Sequence, residues 1–157
     1  MASSYFQIDG IEGPSREQNH LHAIPLEEFR FAERLVAGSY TSARAASAGV
    51  EMQEFLLTMR SSSATPLLFQ ACASGKHFRN ATLWCKVESG EGIKWTFEDL
   101  IITSFSTKGG SEIPAVSLDQ ISIAFGRIIA EYQAVSERGE VSGVTKAGWD
   151  LTKNARL

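Results

Sequence analysis

The chain has 157 residues, of which 43% are hydrophobic, with a net charge of −3 at pH 7 and a pI near 5.6. This length fits one domain spanning residues 1–157, with enough apolar side chains to build a core. The acidic balance argues against a sequence-independent nucleic-acid binder, which would normally be basic. No apolar run approaches the roughly 20 residues of a membrane-spanning helix, so we expect no membrane insertion.

The N-terminal segment carries no targeting signal and begins with a strand. The sequence MASSYFQIDG lacks the basic start and the apolar core of a signal peptide. We therefore expect assembly in the cytoplasm and, if the protein is exported, secretion without a cleaved signal peptide. Residues 5–11 alternate apolar and polar side chains, which predicts a half-buried strand.

The next extended segment divides its side chains between two faces. Phe29 and Phe31 alternate with Glu28 and Arg30. Because successive side chains of a strand point to opposite faces, the phenylalanines are expected in the core. Arg30 and Glu28 are then expected on the outer face.

A long loop separates this segment from a third predicted strand. Residues 38–49, GSYTSARAASAG, are small, polar and aperiodic. A loop of this length in a compact domain is usually functional or disordered. The two-residue period resumes over residues 51–60, where Phe55, Leu57 and Met59 share one face.

One helix is predicted, in the stretch TPLLFQACASG. Thr65 is a candidate N-terminal cap, and Pro66 suits the first helical position, where no amide donor is needed. Gly75 can take the left-handed conformation that ends a helix. The predicted buried stripe consists of Leu67, Leu68, Ala71 and Cys72.

Further strands follow the helix, and the last long one changes its apolar face. Apolar residues stand at odd positions up to Phe125 but at even positions from Ile128 onwards. Since a regular strand keeps one face buried, this change predicts a bulge or bend at residues 126–127. We expect residues 139–148 to be a turn-rich linker and residues 149–154 to form a closing strand.

The residues best suited to chemistry have simpler structural roles. Cys72 and His77 would make a nucleophilic pair, but Cys72 lies on the predicted buried stripe, whereas a reactive thiolate needs an accessible, electropositive setting. His20 and His22 share a strand face without a convincing third metal ligand. Cys72 and Cys85 are expected to be reduced core thiols. We therefore predict no catalytic, cofactor or metal site, and a protein that is not an enzyme.

Four segments resemble one known family. They are FQIDGIEGPS, TPLLFQACASGKHFRNATL, ISIAFGRIIAEYQ and AGWDLTKN, and they occur in the family's order over nearly the whole chain. On these segments the chain resembles the haemolysin-coregulated protein family, the inner-tube protein of the bacterial type VI secretion system. The resemblance implies a mainly β fold, a β-barrel of two antiparallel sheets with one flanking α-helix, similar to phage tail-tube proteins.

The same resemblance implies partners. Members of the family are expected to form hexameric rings that stack into a tube, which a contractile sheath expels. A spike protein caps the tip, and small effector proteins travel in the lumen. Two alternatives remain open: a small-ligand-binding β-barrel, which needs an apolar cavity inside one subunit, and a hydrolase using Cys72 or His77.

The assembly suggests roles for two sets of residues. A lumen that passes varied cargo should be mildly polar, and Glu28 and Arg30 are candidates to line it. The loop has too little apolar surface to order itself, so it is expected to contact an adjacent subunit or the next ring. The candidate interface residues are Ser39, Tyr40, Thr41 and Arg44.

Overall fold

The computed structural model describes residues 3–36, 49–87, 91–112, 115–135, 138 and 140–157. Ten strands and one helix occur in these residues. In chain order they are β1 (Ser4–Ile8), β2 (Ile24–Arg30), β3 (Glu33–Val36), β4 (Gly49–Met52), β5 (Phe55–Arg60), α1 (Thr65–Ser74), β6 (His77–Lys86), β7 (Gly92–Lys108), β8 (Leu118–Val135), β9 (Val141–Asp150) and β10 (Ala155–Arg156).

Six of the strands close into a barrel. Their order is β8-β5-β2-β1-β6-β7, and β7 pairs back with β8 to complete the circle. All of these pairings are antiparallel. β9 and β10 extend the sheet from β8, while β3 and β4 form a separate hairpin. The predicted β-barrel with one flanking helix is confirmed, and its walls belong to a single closed sheet.

The barrel interior is filled by aromatic and aliphatic side chains. Phe55 of β5 is fully buried, in an aromatic cluster. Its ring centroid lies 4.9 Å from that of Phe31, 5.0 Å from that of Phe97 and 5.5 Å from that of Trp95. Aromatic pairs at these separations stabilise a core beyond the area that they bury. The same face of β5 also buries Leu57 and Met59, as predicted.

The ends of α1 follow from local sequence. Pro66 lies in the first turn, where its missing amide costs no hydrogen bond. Gly75 takes the left-handed conformation, with φ of 64°. Its amide donates to the carbonyl of Cys72 at 3.2 Å, and the amide of Lys76 donates to that of Ala71 at 3.1 Å. These two bonds satisfy carbonyls that the end of a helix leaves without partners.

Thr65, however, does not cap the helix as predicted. The N-terminal cap residue is Ala64, and no side chain caps this end of the helix. The Thr65 hydroxyl donates to the carboxylate of Asp119 in β8. Asp119 is fully buried and also accepts hydrogen bonds from the hydroxyls of Ser61 and Thr107, each at 2.8 Å. Because a buried carboxylate must be hydrogen-bonded, Asp119 engages the hydroxyl that the sequence pattern assigned to the cap.

The prediction for residues 126–127 is only partly right. β8 changes one of its neighbours here, from β5 to β9. There is no bulge, because β7 and β8 stay in register past this point. No extra residue is needed, because β7 and β8 change their buried faces at the same place. In β7 the change occurs at Asp99, whose φ is 53°. The buried pairs on the two sides of the change are Leu100 with Phe125 and Phe97 with Ile128.

The predicted linker over residues 139–148 is wrong, because most of it lies in β9, which pairs with the second half of β8. The closing strand is also wrong: β9 ends at Asp150, and a turn precedes the short β10. Asp150 holds this turn by accepting hydrogen bonds from the amides of Thr152, at 2.9 Å, and Lys153, at 3.2 Å. The hydroxyl of Thr152 makes the largest contribution to lowering the pKa of the Asp150 carboxyl.

An arginine ties this turn to the barrel. Arg127 of β8 donates from Nε to Asp150 and from Nη1 to Glu98 of β7, both at 3.2 Å. The hydrogen bond that Arg127 donates to Glu98, followed by the one that it donates to Asp150, raises the pKa of the guanidinium above its ordinary value. The ion pairs therefore join β7, β8 and β9 at the point where β9 replaces β5 as a neighbour of β8.

Candidate functional site: a polar sheet face with free edges

Strands β2, β5, β8 and β7 present a polar face on the outside of the barrel. Side chains that alternate with the core residues of these strands leave on this face. One row of cross-strand neighbours is Glu28, Thr58, Gln120 and Ser106, and the next row is Arg30, Leu56, Ser122 and Ser104. We call this set the polar panel.

A bulge in β2 turns the predicted lumen residues onto the panel. Leu26 is buried and Glu28 is exposed, although two residues of a regular strand would share a face. The pairing with β5 shifts between these two residues, which leaves Glu27 as the extra residue. Arg30 is exposed on the same side as Glu28, while Phe29 packs towards the core.

The panel contains a small cavity and carries balanced charge. A cavity of about 160 Å³ lies between Glu28, Arg30, Leu56, Thr58 and Gln120. One carboxylate and one guanidinium make the panel formally neutral, and its other members are mostly hydroxyl or amide side chains. Such a face offers hydrogen bonds to many partners without a deep, selective pocket.

Sequence reasoning found only part of this face. It named Glu28 and Arg30 but not their neighbours on the other strands, which include Gln120, Ser104 and Ser106. Because Gln120 alternates with the buried Ile121, the sequence could have predicted that Gln120 points away from the core. The sequence could not predict which residues lie beside Gln120 in the sheet, because cross-strand pairing joins residues far apart in the sequence.

Both outer strands of the panel have an edge without a strand partner among the described residues. β6 pairs with β7 only as far as Ile101, so beyond Ile102 the edge of β7 away from β8 is open. On the other side, β1 pairs with β2 only at Ile24 and Pro25. The edge of β2 away from β5 is therefore open over residues 27–30. Such edges present backbone donors and acceptors for pairing with another chain.

The predicted interface loop is flanked by an exposed hairpin. Glu33–Val36 pairs with Gly49–Met52, so Gly49 belongs to a strand and not to the loop. Leu35 and Val36 are 68% and 49% exposed, a large apolar exposure for a two-stranded hairpin. The candidate residues Ser39, Tyr40, Thr41 and Arg44 lie outside the described residues.

A family model described as "Type VI secretion system effector, Hcp" matches residues 5–132, which is most of the chain and includes nearly all of the six barrel strands. The chain belongs to the Hcp family. It is thus a structural tube protein of type VI secretion and not an enzyme.

Individual Hcp proteins match over nearly their full lengths. Protein hcp1 of Pseudomonas aeruginosa is 24% identical over 97% of this chain and 96% of its own length. The crystal structure of Hcp1 from Salmonella typhimurium is 27% identical, covers all of both chains and superimposes with a TM-score of 0.79. A type VI secretion system effector from Yersinia pestis is 25% identical over 94% of this chain and 98% of its own, with a TM-score of 0.72.

Hcp proteins of type VI secretion are secreted proteins. None of the helices in the described part of this chain is long and apolar enough to cross a lipid bilayer. The family also assembles into an oligomeric tube. The polar panel and its open edges therefore need to be understood as parts of an assembly.

A second concave region of this Hcp chain is apolar. A cleft of about 380 Å³ lies between the β3–β4 hairpin and the strands β7, β8 and β9. Its walls include Phe31, Met52, Trp95 and Trp149. The indole Nε1 of Trp149 is buried without a hydrogen-bond partner among the described residues. Phe31 and Trp95, which pack against Phe55, form part of the cleft wall, whereas Phe55 itself is fully buried behind them.

The residues weighed for chemistry are dispersed in this Hcp fold. Cys72 and Cys85 are free thiols that pack against the core. Both were expected to be core residues, but each is only half-buried. His77 starts β6 and is exposed. His20 lies in a turn, and not on a strand beside His22, and its ring stacks on Tyr5 at a centroid distance of 4.4 Å.

The hydroxyl of Tyr5 donates to the carboxylate of Glu17. This hydrogen bond, followed by burial and the negative charge of Glu17, raises the pKa of Tyr5 to about 12. His20 and Glu17 thus help to fasten the N-terminal loop to β1. Within the residues that the structure describes, no three histidine, cysteine, aspartate or glutamate side chains are grouped to hold a metal ion.

Proposed function

We propose that this chain is the subunit of a type VI secretion inner tube, a single domain of residues 1–157 that forms hexameric rings. The rings stack into a tube in the cytoplasm, and a contractile sheath expels the tube with a spike protein at its tip. Small effector proteins travel in the lumen. The observation that carries this proposal is the polar panel, a sheet face with an open edge at each end.

The direction of the strands supports ring closure. In the panel order β2-β5-β8-β7 each strand is antiparallel to the next, so β7 and β2 run in opposite directions. A second copy related by rotation can therefore place its β2 beside β7 as another antiparallel neighbour. The contact joins two different edges, which is the heterologous geometry that closes rings. The panels of successive copies then form one continuous polar lining.

Native mass spectrometry with electron microscopy tests this proposal. The expected result is a species with the mass of a hexamer, built from subunits of 17.1 kDa, and ring-shaped particles with a central hole. A stable monomer at micromolar concentration would contradict the tube assignment. It would then favour the alternative of a small-ligand-binding barrel, for which the apolar cleft beside the hairpin is the available site.

We further propose that Ser39, Tyr40, Thr41 and Arg44 contact an adjacent subunit or the next ring. Exposed Leu35 and Val36 at the end of the hairpin support this role, because apolar side chains gain stability when a partner covers them. Deletion of residues 41–47 is expected to weaken stacking or ring assembly and to abolish secretion, while circular dichroism shows a folded subunit. If the deleted protein forms rings, polymerises and is secreted normally, the loop has no such contact.

Arg30 is proposed to face the lumen and to influence which effectors are retained. Arg30→Glu changes the panel charge without touching the core, so rings should persist. Capture of effectors with acidic surfaces should fall by roughly tenfold, since like charges then oppose each other across the contact. Co-purification of an effector panel with each variant measures this change.

Arg79→Glu is the matched control for this experiment. Arg79 is exposed on β6, which lies across the barrel from the panel, so the same charge reversal should leave effector capture unchanged. Equal cargo profiles for the wild type and Arg30→Glu would show that Arg30 is an ordinary solvent-facing arginine. Equal losses in both variants would assign the effect to net charge.

A further inference from the structure

The helix α1 has an outer surface without charge. Its sequence, TPLLFQACAS, contains no charged residue, whereas a helix that stays in contact with water usually carries charged side chains on its outer face. Pro66, Phe69 and Ala73 are exposed and follow one another at a spacing of three and four residues. They therefore lie along one side of the helix, and Phe69 is 59% exposed.

This side of the helix borders the open edge of β7. The ring of Phe69 packs edge-on against Phe105, with 6.0 Å between the ring centroids. Phe105 belongs to the part of β7 beyond Ile102, which pairs with β8 alone among the described strands. The apolar side of α1 and the free backbone edge of β7 thus form one continuous surface.

We propose that a second copy of this chain covers this surface, packing the flank that carries its β2 edge against Pro66, Phe69 and Ala73. The inference rests on the proposed function, because it names the helix surface that the ring contact uses. A copy whose β2 pairs with β7 necessarily lies beside Phe69. Burial of this aromatic side chain adds apolar area to the backbone pairing, and aromatic residues are common anchors at the centre of interfaces.

Charge insertion at two positions of the helix tests the proposal. Leu67 is 44% exposed but lies two residues from Phe69, a rotation of about 200° around the helix, and so on its other side. Phe69→Lys should raise the subunit concentration needed for ring formation by roughly thirtyfold or more. Leu67→Lys should leave it unchanged. Light scattering over a dilution series measures both, and circular dichroism checks that each variant is folded.

The outcomes are distinct. Rings of Phe69→Lys that persist at wild-type concentrations overturn the inference while leaving the tube assignment intact. Rings that persist but no longer bind the sheath assign the surface to that partner and overturn it as well. If Phe69→Lys does not fold, Phe69→Gln carries the same expectation with a neutral side chain. A wild type that never forms rings defeats the proposed function itself.

Discussion

Phe55→Ala is expected to lower the free energy of unfolding by about 3–5 kcal/mol, the usual cost of removing a fully buried aromatic side chain. Phe55 is fully buried and its ring packs against those of Phe31, Phe97 and Trp95. Phe31 follows β2 and the other two neighbours lie on β7, so they are held by two separate parts of the barrel and cannot all move inward to fill the space. Urea unfolding of the wild type and the variant, followed by tryptophan fluorescence, gives the difference from the midpoints.

Leu67→Ala is the control for this substitution. Leu67 is 44% exposed, so its truncation should change the free energy of unfolding by no more than about 0.5 kcal/mol. A loss below about 1 kcal/mol for Phe55→Ala would mean that the aromatic cluster does not hold the barrel together. Both variants should be compared in the same assembly state, because association adds to apparent stability.

Asp119→Ala is expected to destabilise the subunit by roughly 3 kcal/mol, because it leaves hydroxyl donors of three segments without their acceptor. Asp119 is fully buried and accepts hydrogen bonds from Ser61, Thr65 and Thr107. It therefore joins the end of β5 and the start of α1 to β7 and β8. Loss of this junction should loosen α1 first, and faster hydrogen exchange at amides of the helix should accompany the lower midpoint of unfolding.

Asp119→Asn separates hydrogen bonding from side-chain removal. The amide keeps one acceptor oxygen and the side-chain volume, so the expected loss is clearly smaller than that of Asp119→Ala. If all three proteins unfold at the same urea concentration, the buried carboxylate contributes nothing and our account of Thr65 is wrong. If Asp119→Asn is as damaging as Asp119→Ala, both carboxylate oxygens are needed as acceptors.

Local pattern sufficed wherever a structure depends on near neighbours along the chain. The alternation of Phe55, Leu57 and Met59 correctly predicted the buried face of β5. Pro66 and Gly75 correctly marked the ends of α1, because their backbone preferences act within one turn. The outward direction of Glu28 and Arg30 was also predicted from alternation with the phenylalanines, without any knowledge of their partners.

A regular strand needs an extra residue to change its buried face, and two strands of this fold show that the pattern of one strand is not enough to apply this rule. Between Leu26 and Phe29 the buried positions change from even to odd, and β2 has the extra residue that the rule requires. Between Phe125 and Ile128 the same change occurs without an extra residue. The difference lies in β7, which changes its own buried face at the same place. The sequence of β8 alone contains no information about this change in β7.

The sequence by itself determined a mainly β fold with one helix and most of the core, although Leu67 of the predicted buried stripe is exposed, and through its full-length resemblance it determined the barrel and the family. Only the tertiary structure decided that β7 closes the barrel on β8, that β9 replaces the expected linker, and that Asp119 takes the hydroxyl of Thr65. It also assembled the polar panel from four strands and left its two outer edges open. The physical reason is separation along the chain: periodicity and capping act over a few residues, whereas strand pairing and buried hydrogen bonds join segments tens of residues apart.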